Sequence, residues 1–85
     1  MSAPKVIMYT SAWCGYCARA RTLLAGKAVE LEEIDVDLVP GARAQMIARS
    51  GHYTVPQIFI NGEYVGGSEE LSELDTQGRL DSMLK

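Results

Sequence analysis

Residues 57–67 read QIFINGEYVGG. Two runs rich in β-branched and aromatic residues flank Asn61-Gly62, the pair a type I′ turn prefers because both central positions take positive φ. The stretch therefore predicts an antiparallel hairpin. Toward the amino terminus, KVIMYT (Lys5 to Thr10) is a short, mostly apolar run suited to a buried strand. VELEEIDVD (residues 29–37) sets Val29, Leu31, Ile34 and Val36 against acids and predicts a further strand, irregular around Glu32 and Glu33. Between these strands Ala20, Leu23, Leu24 and Lys27 recur at helical spacing, with Gly26 as the stop. Pro40 suits the first turn of a second helix with Met46 and Ile47 on its inner face. From Ser68 onward, Leu71, Leu74, Leu80, Met83 and Leu84 predict a helical tail interrupted at Gly78.

The order is thus β-α-β-α-β-β-α. A strand–helix–strand opening implies a right-handed crossover and a parallel pair, and the hairpin must add antiparallel strands. The expected architecture is α/β, a four-stranded mixed sheet flanked by helices. With 85 residues there is room for one core, so residues 1–85 are read as a single domain. A 47% hydrophobic content fits a compact chain rather than a disordered one. The net charge of −3 argues against a nucleic-acid partner, although Arg19, Arg21 and Lys27 cluster as a local basic spot. No apolar run approaches the roughly 20 residues of a membrane span, and the first residues lack a signal-peptide layout. The expectation is a cytoplasmic protein without a membrane partner, where reducing conditions disfavour a permanent structural disulfide.

Both cysteines, Cys14 and Cys17, lie in TSAWCGYCARARTLL (residues 10–24). Tetrahedral zinc wants four ligands; the only histidine, His52, is distant in sequence, so no self-contained metal site is expected. A reactive dithiol fits better. Cys14 stands between a predicted strand and a helix beginning near Tyr16, where free N–H groups and the helix dipole favour a thiolate. Cys17 lies one turn on along the same face and should be more buried. That makes Cys14 the attacking thiol and Cys17 the resolving thiol. Trp13 is read either as a wall of this site or as half-buried packing, and Tyr16 either as cover for a bound thiol or as ordinary packing. Farther on, Pro56 either begins a strand in trans or follows Val55 through a cis bond, facing the dithiol and exposing the Val55 backbone to an extended ligand. Gly66-Gly67-Ser68-Glu69 reads as a tight turn into a helix. Its first amides would hold a carboxylate, or Ser68 would simply cap them.

MYTSAWCGYCARARTLL and TVPQIFINGEYVGG, about forty residues apart, together resemble a bacterial-type dithiol glutaredoxin over essentially the whole chain. The resemblance implies the thioredoxin fold, glutathione as reductant, and glutathionylated or disulfide-containing proteins as partners. It also implies a glutathione site: Tyr16 flanking the tripeptide, Thr54, Val55 and a cis-Pro56 meeting its cysteinyl portion, and Gly67, Ser68 and Glu69 receiving the γ-glutamyl end. Arg43 matches a position that pairs with the glycine carboxylate. Two departures stand out: Ser11-Ala12-Trp13 replaces a common lysine-bearing approach to the first cysteine, and Gly15 replaces a common proline. Glycine there accompanies some relatives that hold a [2Fe–2S] cluster between two protomers. The alternative expectation is therefore a cluster-binding homodimer with Cys14 and external glutathione as ligands, against a monomeric oxidoreductase.

Overall fold

Two strands of this chain carry apolar side chains on both faces, and that demands cover on both sides of the sheet. The computed structural model describes residues 3–85, so Met1 and Ser2 of the expected 1–85 domain lie outside the described residues. Its elements are β1 (Lys5–Thr10), α1 (Gly15–Ala25), β2 (Glu30–Asp35), α2 (Ala42–Ser50), β3 (Gln57–Ile60), β4 (Glu63–Gly66), α3 (Ser68–Thr76) and α4 (Leu80–Met83). The sheet order is β2-β1-β3-β4, with β1–β2 parallel and the other two pairs antiparallel. This is the four-stranded mixed sheet expected, in the thioredoxin-fold arrangement.

Val6, Met8, Ile58 and Ile60 point to one side, where they join Ala20 and Leu24 of α1, Leu71 of α3 and Leu80 of α4. Tyr9 and Phe59 point to the other, where Ala42 and Met46 of α2 cover them. The hairpin forms as the sequence predicts: Asn61 (φ 49) and Gly62 (φ 85) both take positive φ. Asn61 also accepts the Lys5 N–H through Oδ1 at 3.1 Å, fastening the turn to β1.

Several expectations are corrected. The irregularity expected at Glu32 and Glu33 is absent: β2 pairs with β1 in continuous parallel register from Lys5–Glu30 to Thr10–Asp35. The shift in the apolar pattern is instead a change of face. Val29 and Leu31 pack into the α1/α3 layer, whereas Ile34 and Val36 pack into the α2 layer. Pro40 lies in the turn before α2 rather than in its first turn, because Gly41 at φ 79 is the N-cap. Met46 is buried as expected, but Ile47 is exposed; Ala42 and Met46, four apart, already define the buried stripe. The tail divides into two helices at Gly78 (φ 73), adding the single-turn α4 to the expected order. Two of the three cations of the basic spot, Arg21 and Lys27, are drawn into ion pairs. Lys27 Nζ reaches Asp75 and Asp81, each at 2.9 Å, tying the end of α1 to α3 and α4. Arg21 makes a two-pronged contact with Glu33 on β2, at 2.6 and 2.8 Å. No helix among the described residues is long and apolar enough to cross a membrane.

The Arg21–Glu33 pair yields a pH-dependent prediction. Hydrogen bonding from Arg21, with its charge adding to it, holds the Glu33 carboxyl below the usual carboxylate range despite partial burial. A depressed folded-state pKa contributes stability above the unfolded value, and that stability is lost as pH falls through the folded value. Glu33→Gln should therefore cost under about 1 kcal/mol at neutral pH. Chemical denaturation of both proteins should show the deficit closing under acid conditions below the ordinary glutamate range.

Candidate active site

Cys14 is the N-cap of α1, in extended conformation (φ −103, ψ 106). Its Sγ accepts the Cys17 N–H at 3.1 Å, the geometry by which a helix N-terminus favours a thiolate once the cysteines are reduced. Cys14 and Cys17 are joined as a disulfide, with Cα atoms 5.2 Å apart. Cys17 is wholly buried and Cys14 only half-buried, as their positions on the first turn predicted. One sulfur thus meets solvent and the other lies beneath it.

Beside Cys14 opens a cavity of ≈ 380 Å³. Tyr16, Thr54, Val55, Pro56, Gly67, Ser68 and Glu69 all line it, so seven of the eight expected ligand-binding residues converge there. The Val55–Pro56 bond is cis, and the Val55 carbonyl oxygen lies 3.8 Å from Cys14 Sγ. Arg43 is the exception. Its guanidinium donates to Asp37 Oδ1 at 2.8 Å and to the Tyr53 carbonyl at 3.3 Å, on a flank of α2 outside this cavity.

Four other lining residues, His52, Gln57, Tyr64 and Glu70, were not anticipated as site residues. Gln57 is buried, and its Nε2 donates to both the carbonyl and Oγ1 of Thr54, at 3.0 and 3.2 Å. Tyr64 in turn donates its hydroxyl to Gln57 Oε1 at 2.6 Å. Burial, with a smaller contribution from the charge of Glu70, pushes the Tyr64 phenol up, in the direction that favours the protonated donor. The chain Tyr64–Gln57–Thr54 fixes the loop that faces the cysteines. His52 stacks on Tyr64, with ring centroids 6.3 Å apart. The sequence signal for Gln57 was a polar residue opening an otherwise apolar strand; the others carry no local signal.

At the far side of the cavity the cap of α3 also differs from expectation. Gly67, not Ser68, is the N-cap, and Ser68 is already helical. Glycine offers no side chain to the first helical amides. Glu70 reaches back and accepts the Gly67 N–H at 2.7 Å, leaving the leading amides of α3 uncapped by a side chain.

Trp13 neither walls the cavity nor packs half-buried. It is fully exposed (101%) and holds φ 60, a conformation that costs a bulky residue about 1–3 kcal/mol. As for metals, no group of three or more His, Cys, Asp or Glu is gathered among the described residues. With Cys14 the more open of the two cysteines and Cys17 buried, a [2Fe–2S] cluster would have to draw its other thiolates from outside the chain.

The family model for glutaredoxin matches residues 6–65. A glutaredoxin of Pseudomonas aeruginosa is 46% identical over 81 residues, covering 95% of this chain and 96% of that protein. The solution structure of a glutaredoxin from Brucella melitensis superposes with a TM-score of 0.84 at 50% identity, covering 100% of this chain and 92% of that one. The crystal structure of a buckwheat glutaredoxin–glutathione complex superposes with a TM-score of 0.86 at 27% identity, covering 95% of this chain and 76% of that one.

Two glycines give opposite expectations for this region. A Cβ on Gly66 (φ 128) would lie 2.8 Å from Glu70 Oε1 and 2.9 Å from its Cβ and Cγ, whereas a Cβ on Gly15 would meet nothing within 4 Å. Gly66→Ala should cost about 2 kcal/mol or more, and Gly15→Ala within about 0.5 kcal/mol of nothing. Denaturant melts of the two variants beside the parent check this.

Proposed function

The chain belongs to the glutaredoxin family and is a thiol–disulfide oxidoreductase with a Cys-x-x-Cys pair, and from that premise we propose that its reaction depends on glutathione. The observation that carries this reading is the cavity beside Cys14, bounded at one end by the amino terminus of α1 and at the other by the uncapped amino terminus of α3. Its ≈ 380 Å³ falls at the small end of ligand cavities, which run from about 300 to 1,000 Å³.

In this reading Tyr16 covers one side of the tripeptide. Thr54, Val55 and Pro56 receive its cysteinyl portion through the backbone, held in place by Gln57. Gly67 and Ser68 bring the leading amides of α3 to the γ-glutamyl carboxylate, and the Glu69 carboxylate faces the γ-glutamyl amine. Arg43 is left out, since Asp37 already engages it.

The chemistry runs through two substitutions at sulfur. The Cys14 thiolate attacks the glutathionyl sulfur of a glutathionylated substrate; the substrate–sulfur bond breaks and the substrate leaves as a thiolate that takes a proton from water. A second glutathione thiolate attacks the glutathionyl sulfur on Cys14, releasing glutathione disulfide and regenerating the Cys14 thiolate. With a protein disulfide, Cys14 forms a mixed disulfide with one substrate sulfur and Cys17 displaces it. The resulting Cys14–Cys17 disulfide is then reduced by two glutathiones. No general base is required, because the amino terminus of α1 favours the attacking thiolate.

Turnover of the mixed disulfide of glutathione and 2-mercaptoethanol, with glutathione and a glutathione-disulfide reductase supplying electrons, tests the proposal. Cys14→Ser should fall to background with every substrate. Cys17→Ser should still turn over glutathione mixed disulfides while losing activity on protein disulfides. With consumption of a glutathionylated peptide followed directly by chromatography, equal rates with glutathione, free cysteine or 2-mercaptoethanol as reductant would overturn the glutathione reading and leave a thiol–disulfide oxidoreductase of broader reductant use.

A further inference from the structure

Cys14 sits between two exposed aromatic residues that have different relations to the cavity. Tyr16, 64% exposed, lines it; Trp13, fully exposed, does not. No packing among the described residues accounts for the indole, which holds a backbone conformation that bulky residues disfavour. A side chain of this size offers roughly 150–250 Å² to a partner that covers it, and tryptophan is among the residues that most often dominate interface energetics. Its position one residue before the reacting sulfur leaves few candidates for that partner. A tripeptide seated in the cavity is served by the cavity's own lining. The component left to meet Trp13 is the other half of the disulfide, the polypeptide around the substrate's cysteine.

We propose that Trp13 is a specificity-determining residue that contacts apolar side chains flanking the substrate's cysteine, favouring protein substrates over small mixed disulfides. The inference rests on the glutathione-dependent reading above and adds the recognition of the leaving group to it. Trp13 takes no part in bond making. Its contact strengthens capture of the substrate and leaves the sulfur chemistry unchanged.

Three glutathionylated probes separate the possibilities: a peptide whose cysteine is flanked by leucines, the same peptide flanked by serines, and the mixed disulfide with 2-mercaptoethanol. Glutathione is common to all three, so only the leaving half varies. Trp13→Ala should lose about tenfold in kcat/KM on the leucine peptide, equivalent to about 1.4 kcal/mol, and change little on the other two. Trp13→Phe should recover most of the loss. Because Trp13 is the only tryptophan of the chain, its emission reports the contact directly. Binding the glutathionylated leucine peptide to the Cys14→Ser variant, which cannot displace it, should shift the emission to shorter wavelength, and binding the glutathionylated serine peptide should not. Equal losses on all three probes, or none on any, would overturn the proposal. A parent protein inert toward the 2-mercaptoethanol probe would instead remove the glutathione reading beneath it.

Discussion

β1 buries side chains into both layers at once: Val6 and Met8 on one side and Tyr9 on the other have no accessible surface. A strand of this kind is stable only at the middle of a sheet, with helices on each face. The rest of the molecule is arranged around that requirement. β2 and β3 take its two edges, α1, α3 and α4 cover one face, and α2 covers the other. β1 ends at Thr10, four residues before Cys14, so the strand that organises both cores also delivers the reactive cysteine to the start of α1. Stability and chemistry therefore share one element.

The second support of the site runs through the hairpin. The Asn61-Gly62 turn sets the register that places Phe59 opposite Tyr64. From there Tyr64 reaches Gln57, and Gln57 reaches Thr54, in the segment that faces the cysteines. A polar relay of this kind, with Gln57 buried at its centre, holds backbone in place only while each member keeps its partner. An ionised Tyr64 could no longer donate to Gln57, and burial works against that ionisation. On the same face of the sheet Arg49 lies 4.1 Å above the Phe59 ring and donates to the Tyr9 hydroxyl at 3.0 Å. The two central strands are thus braced by aromatic contacts as well as by their ladder.

What could be read in the sequence was what short-range physics determines. The boundaries of β1, the hairpin turn and the stop of α1 at Gly26 follow from local pattern and turn chemistry, and the structure has all three. So does the placement of Cys14 at a helix start with Cys17 beneath it. The misreadings involve partners remote in sequence or a choice between layers. The apolar pattern of β2 looked irregular because two different helix layers draw on its two halves. Arg43 was matched to a carboxylate-pairing position by resemblance alone, and its contact with Asp37, six residues earlier, forms only through the turn preceding α2. Gln57 and Tyr64 support the site through side chains seven residues apart on adjacent strands, a relation visible only once the register is known. Trp13 was misplaced for a different reason: a tryptophan beside an apolar strand is ordinarily buried, and this one follows the strand's end into a turn that directs it outward.

The burial of Cys17 bears on how large a partner the domain can discharge. In the proposed protein-disulfide route, whatever is captured on Cys14 sits on the outside of the helix start, while the sulfur that expels it approaches from within. A bulky partner cannot lean against Cys17 or compete for it, because Cys17 has no surface to lean on. Entry is therefore sensitive to the partner's shape, whereas exit uses one short intramolecular reach and varies with the acidity of the departing thiol. A domain of this size can in that way serve partners many times its own mass without a separate release mechanism for each.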